Sequence, residues 1–384
     1  MHEITALSHI IEKIKWELTL NENKPFTKAR GSSHMRSKQV IAQHRYNLFL
    51  ALLVVVLLVL FIASFGWGRF SKLAIADIPK ILLNEIIPAF EKTWTEVDRN
   101  VVVSIRFPRI LAAVLVGASL AISGASYQAL FSNPIASSDS LGVSSSAAFG
   151  AVLGFLLNLS MLSVKLLAFF VGCVSVFSVY FLASRMNNRR QLTVFLILVG
   201  MIVSSLFGAL LSIMKYVADP IDQLPRITYW LMGSLSNVRS ADIPFCVAFF
   251  IIGVIPLILL RWRMNLLMLS DAEAKSIGEN INALRLITIL CATLLTSSSV
   301  AMTGGISWIG LVIPHISRLL VGNDSRRLMP VSAVLGGIFL LAMDDLARTI
   351  TVYELPISIL TSLIGAPIFF VILLRRRRQI INDD

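Results

Sequence analysis

The sequence predicts an all-α polytopic membrane protein with ten transmembrane helices and both termini in the cytoplasm. Three observations lead there. Of the 384 residues, 56% are hydrophobic and 15% charged, more apolar surface than a soluble domain can bury. Apolar runs of at least ~17 residues recur, each able to cross roughly 30 Å of hydrocarbon as a helix. Most Lys and Arg fall between those runs, where they set orientation and meet lipid headgroups. A β-barrel would show short alternating segments, which are absent. The net charge of +12 is explained by the bilayer, so no nucleic-acid partner is expected.

The elements follow in order. Residues 1–47 are polar and basic, with Ile4, Leu7, Ile11, Ile14 and Leu18 on one helical face. They are expected as a cytoplasmic tail, either disordered or an amphipathic helix on the membrane surface. Ser33-His34-Met35 after Gly31 also resembles an expression scar. The first span is Leu48–Phe65. After the mixed-charge segment 66–100, the second runs Val101–Leu130, the third Leu141–Leu157 and the fourth Lys165–Ala183. A basic loop leads to the fifth, Leu192–Met214, and a polar loop holding Pro220 and Pro225 to the sixth, Ile243–Leu260. The polar segment 261–285 precedes the seventh, Leu286–Met302. The eighth is the apolar part of Thr303–Pro330, the ninth is Leu328–Leu346 and the tenth Leu355–Leu374. The membrane domain is thus set at 48–378, followed by a short cytoplasmic tail, 379–384. With the N-terminus inside, inner segments hold 21 of the 34 Lys and Arg, and outer segments 8, the bias that favours this orientation.

Several chemistries are missing from the sequence. No GxxxxGK[ST] occurs, so the chain has no P-loop for hydrolysing ATP. No HExxH or Cys/His cluster suggests a metal, and Cys173, Cys246 and Cys291 show no paired spacing. No Asp or Glu lies near the middle of a span, which disfavours an ion-coupled carrier.

The polar and small residues that do punctuate the spans define the candidate sites. Gly117, Ala121 and Gly124 in the second span, and Gly150 and Gly154 in the third, let helices approach closely. Asn133-Pro134 is a turn signal after the second span. Arg106, Arg109 and Arg348 lie at outer span ends, where an arginine snorkels or finds a partner. Arg348 can pair with Asp344 at i,i+4; the other reading is a basic outer surface for an acidic partner. In 265–284, Ser270 and Glu273 form a capping box and Gly278 a helix stop, giving a two-turn helix suited to a cytoplasmic partner. In the eighth span, Gly310, Pro314 and His315 stand together. Pro314 frees a carbonyl one turn earlier, which a neighbouring helix or polar side chain must satisfy. His315 reads first as a structural, hydrogen-bonded histidine.

Taken together, RFPRI with the small-residue run and NPIA, LGVSS, LSDAEAKSIG, GGISWIGLVIPHISRLLVGNDSRRLMP, DDLAR and ELPISILTSLIGAP resemble the FecCD-type permeases. The resemblance covers about residues 45–378. It implies the type II ABC importer permease fold: a ten-helix subunit that pairs with a second permease subunit, two cytoplasmic ATPase subunits and an extracytoplasmic substrate-binding protein. It also implies that Arg106, Arg109 and Arg348 dock the binding protein, and that Asp271, Ala272, Glu273, Ala274 and Gly278 belong to the ATPase-coupling helix. The chain itself would bind no cofactor, ATP and Mg being used by the ATPase. The implied cargo is an iron chelate, a siderophore or haem; the alternatives are cobalamin, or a self-contained secondary carrier. Trp308 stands where Phe is usual, Gly305 where Pro or Ala is common, and Ser137 and Ser138 where acidic residues or proline are.

Overall fold

The computed structural model describes residues 31–67, 77–87, 92–185, 192–269, 273, 278–351 and 353–382. All regular structure among these residues is helical. The two ends of the bundle are called outer and inner after the charge bias of the sequence.

Helix α1 spans Gly31–Gly66. No proline or glycine interrupts Ser32–Phe65, so residues 31–47, expected as a tail, instead continue the first span as one helix. At the outer end, α2 (Asp77–Ile86) buries Ile78 and Ile81. Helix α3 runs Glu96–Leu130 and is capped by Thr95, whose hydroxyl accepts the Asp98 N–H. Its stretch Val101–Arg106 is a π-helix, in which the Phe107 N–H reaches Val102 O. Pro108 follows and has no N–H to give, so the register change falls where one backbone donor is already missing.

The remaining helices are α4 (Val143–Leu156), α5 (Met161–Ser184), α6 (Leu192–Val217), α7 (Gln223–Leu231), α8 (Ile243–Leu259), α9 (Ile281–Thr303), α10 (Ile309–Val321), α11 (Ser325–Thr349) and α12 (Ile357–Asn382). Helix α7 lies where a polar loop was expected. Pro225 sits in its first turn, where the backbone N–H needs no partner anyway, and Ile227 and Trp230 are buried. Among the described residues, eight helices are long and apolar enough to cross a membrane. The third and eighth expected spans correspond to α4 and α10, apolar helices of 14 and 13 residues, each about 20 Å long at 1.5 Å per residue.

Helix α3 is the centre of the bundle. A Cβ on Gly117 would lie 2.2 Å from Gly336 O of α11, and one on Gly124 would lie 1.9 Å from Gly310 O of α10. The small-residue spacing therefore sits where three helices meet backbone to backbone. Gly150 serves α4 in the same way, against Leu167 and Ala168 of α5. At the outer end Lys165 pairs with Asp242 at 2.6 Å, tying α5 to the start of α8. The periphery is apolar: Leu52, Val55 and Val59 of α1, Met201, Ile202 and Leu206 of α6, and Leu363 and Phe370 of α12 are all exposed.

Candidate functional site

Two polar assemblies stand at opposite ends of the bundle, with the closely packed α3 and α11 running between them. At the outer end, Arg109 is 7% exposed. Its Nε donates to both oxygens of Asp344 at 3.0 Å, its Nη2 to Asp344 at 2.8 Å, and its Nη1 to both oxygens of Glu354 at 2.9 Å. Asp344 is fully buried. Arg348, one turn further along α11, reaches Asp344 at 3.4 Å and donates to Asp345. Asp345 also accepts the Ser64 hydroxyl at 2.5 Å. Arg348 donates to the carbonyls of Ser64 and Trp67 at 3.3 Å, and Arg106 donates to that of Phe65. The Ser64 and Phe65 carbonyls belong to the last turn of α1 and Trp67 follows it directly; acceptors there have no intrahelical partner and the dipole favours a cation.

The network joins the end of α1, the start of α3, the end of α11 and the connection into α12. Arg106, Arg109 and Arg348, expected to receive an acidic partner, are all buried: Arg109 and Arg348 pair with carboxylates of the chain, and Arg106 donates to the Phe65 carbonyl. A guanidinium beside hydrocarbon needs a counter-charge, and Asp344, Asp345 and Glu354 supply it to Arg109 and Arg348. The i,i+4 pairing of Arg348 with Asp344 is present. The long-range pairings of Arg109 are what the sequence does not display.

In the middle of the bundle, the carbonyl freed by Pro314 is that of Gly310. Gln128 of α3 points its Nε2 at Gly310 O and Leu311 O, at 3.5 and 3.4 Å, and its Oε1 accepts from Arg318 at 2.8 Å. Gln128 was not singled out from the sequence; the one available signal was the need for a polar donor near Pro314. His315 is buried, with its ring edge on Phe369 of α12 at 5.6 Å between centroids, so it sits at a helix–helix contact. Trp308 opens α10 at φ +74, a conformation bulky residues rarely adopt. It packs on Phe369 and against Gly365, where a Cβ would lie 2.9 Å from that of Trp308. Nearby at the outer end is an open cavity of about 590 Å³, lined by Leu231, Met232, Ser358, Ile359, Ser362 and Leu363. No charged side chain lines it.

At the inner end, Asn133 forms its expected turn, its side chain accepting the Ile135 N–H at 3.0 Å, with Pro134 between them. Of the expected coupling helix, Asp271, Ala272 and Ala274 lie outside the described residues. Glu273 is helical and exposed, and Gly278 is exposed with φ +81, as a helix stop requires. The segment leading into this helix, a 3₁₀ turn at Arg263–Met268, is held firmly. Met264 and Leu267 are buried, and Asn265 bonds to Asp324 and Ser325 at the start of α11. Tyr46 of α1 meets the first turn of α11, its hydroxyl donating to Arg327 O at 3.4 Å.

Comparison with known proteins places this architecture. Residues 53–375 match the model of the FecCD transport family. The molybdate import system permease protein MolB of Haemophilus influenzae is 37% identical over 334 residues, covering 86% of this chain and 96% of that protein. An iron chelatin transport system permease of Helicobacter pylori is 39% identical over 282 residues, covering 72% and 83%. A solved structure of an inward-facing metal-chelate type ABC transporter superposes with a TM-score of 0.75 at 34% identity, covering 85% of this chain and 99% of that one. With eight membrane-length apolar helices among its described residues, this chain is a multi-pass ABC importer permease rather than an enzyme, and it belongs to the FecCD transport family.

Proposed function

We propose that the chain carries an iron chelate, a siderophore complex or haem, across the cytoplasmic membrane. It does so as one half of a permease dimer, with ten spans and both termini inside. Two ATPase subunits bind the inner end around 261–285, and an extracytoplasmic binding protein delivers cargo at the outer end. Docking there rests on the ends of α1, α3 and α11 held by the arginine network, with the half-buried Glu354 the carboxylate nearest to exchange with a partner's acidic group. ATP hydrolysis below switches the pathway between outward and inward access.

The observation that carries the substrate reading is the outer cavity. A small oxyanion stripped of water needs cations or several donors around it, whereas this wall offers four apolar side chains and two serine hydroxyls. That lining suits a bulky cargo whose metal is already wrapped in an organic shell. Such a wall discriminates weakly, so cobalamin would pass by the same physics. The similarity to a molybdate permease over most of both chains favours molybdate as the second reading.

The test is reconstitution of the full chain in proteoliposomes with its ATPase and binding protein. ATP-dependent uptake of a radiolabelled ferric siderophore or haem is expected. Uptake of molybdate with rejection of every chelate would replace the first reading by the second. Transport driven by an ion gradient without ATPase subunits would sink both.

A further inference from the structure

We infer that Asn265 is a positioning residue that locks the cytoplasmic turn Arg263–Met268 to the start of α11, so that α3 and α11 move with that turn as one strut. The inference rests on the importer reading above and goes further by naming the joint through which force enters the membrane domain.

The joint is reciprocal. The Asn265 Nδ2 donates to Asp324 Oδ1 at 2.8 Å, and the Asn265 Oδ1 accepts the Ser325 N–H at 2.9 Å. Asp324 is itself the N-cap of α11, accepting the Arg326 N–H at 3.0 Å. Ser325 N–H is one of the helix-start donors that no carbonyl of α11 can satisfy. Asn265 therefore completes the cap of α11 from a different segment of the chain. A single amide used as donor and acceptor at once fixes both distance and direction, as one contact alone would not.

The surroundings make the joint stiff. Met264 is fully buried in a cluster with Met329 of α11 and with Ile122, Ala125 and Ala129 of α3. Three residues on, Leu267 packs beside Leu130, and its carbonyl accepts the Ser132 hydroxyl at 3.4 Å. The 3₁₀ turn is thus wedged between the inner ends of α3 and α11. Those two helices are held together midway by Gly117 on Gly336, and at the outer end by Arg109 on Asp344. A displacement of the turn Arg263–Met268 therefore has an unbroken path of packed backbone and ion pair to the outer arginine network.

The experiment compares two full-length variants in proteoliposomes with the ATPase and binding protein. Asn265→Ala removes both hydrogen bonds, one of them to a charged group, and is expected to lower cargo carried per ATP hydrolysed about tenfold while the ATPase still co-purifies. Asp324→Asn keeps an amide oxygen that can accept both the Asn265 Nδ2 and the Arg326 N–H, and Asn caps a helix as well as Asp, so this variant is expected to stay within about twofold of the wild-type ratio. A wild-type ratio in Asn265→Ala, or an Asp324→Asn variant as impaired as Asn265→Ala, overturns the inference. Hydrogen exchange at the first turn of α11 gives a readout independent of transport: faster in Asn265→Ala, unchanged in Asp324→Asn. Wild-type protein that shows no ATP-dependent uptake would defeat the importer reading, while the exchange data would still report on the joint.

Discussion

Arg109 shows how a single side chain at the membrane boundary is governed by what it is paired with. Replacing it by Leu leaves the fully buried Asp344 with only the 3.4 Å approach of Arg348; a buried pair that loses one partner costs about 3–5 kcal/mol, an upper bound here. The same change at Glu354, to Gln, should cost under about 1 kcal/mol, because that carboxylate is 37% exposed and water can replace Arg109. Thermal unfolding in detergent checks the order: a large fall for Arg109→Leu and a small one for Glu354→Gln. Arg109→Glu would set a third carboxylate beside Asp344 and Glu354, so loss of docking in that variant would report a damaged outer end. Gln128 obeys the same logic inside the bundle. Gln128→Leu leaves two carbonyls and the Arg318 head short of a partner, and the expected loss is about 1–3 kcal/mol, read from the same unfolding curves.

Among the helices, it is backbone proximity that decides what α3 tolerates. A methyl at Gly124 would fall inside the Gly310 carbonyl of α10, and backbone cannot rotate out of the way. Gly124→Ala should therefore separate α3 from α10 at a cost of about 1–3 kcal/mol or more. Gly154→Ala should be milder, since its nearest atoms, at 3.0–3.1 Å, belong to Val164 and include a movable side chain. The yield of monodisperse protein for the two variants tests that ranking; equal yields would count against the close-contact account. Gly304 meets two constraints together, a φ of +73 and a Cβ position 2.1 Å from Trp230 O, which fixes how α9 hands over to α10 beside α7.

At the scale of the molecule, the polar groups are sorted by end, and this sorting gives the topology a direct test. A thiol introduced at Glu273, exposed at the inner end, should react with a membrane-impermeant maleimide only in inside-out vesicles. One at Tyr353, 87% exposed at the outer end, should react only in right-side-out vesicles. Reversed labelling would invert the orientation read from the charge bias. Background reaction is expected to be low, because Cys246 and Cys291 are buried and Cys173 half-buried among helices.

The sequence sets the helical membrane class, the positions of the ten apolar segments, the glycines of close contact and the need for a donor near Pro314. Each of these is set by hydropathy, by absent side chains or by a missing N–H, properties a residue carries wherever the chain goes. It did not determine which donor would answer Pro314, nor that Arg106, Arg109 and Arg348 would be buried. Those outcomes depend on pairings far apart in the chain, such as Gln128 with Arg318 and Arg109 with Asp344 and Glu354. The joint of Asn265 with Asp324 is of the same kind. Only the tertiary structure decided them, because a charge or an amide in a low-dielectric interior takes whichever partner the packing of helices brings within about 3 Å.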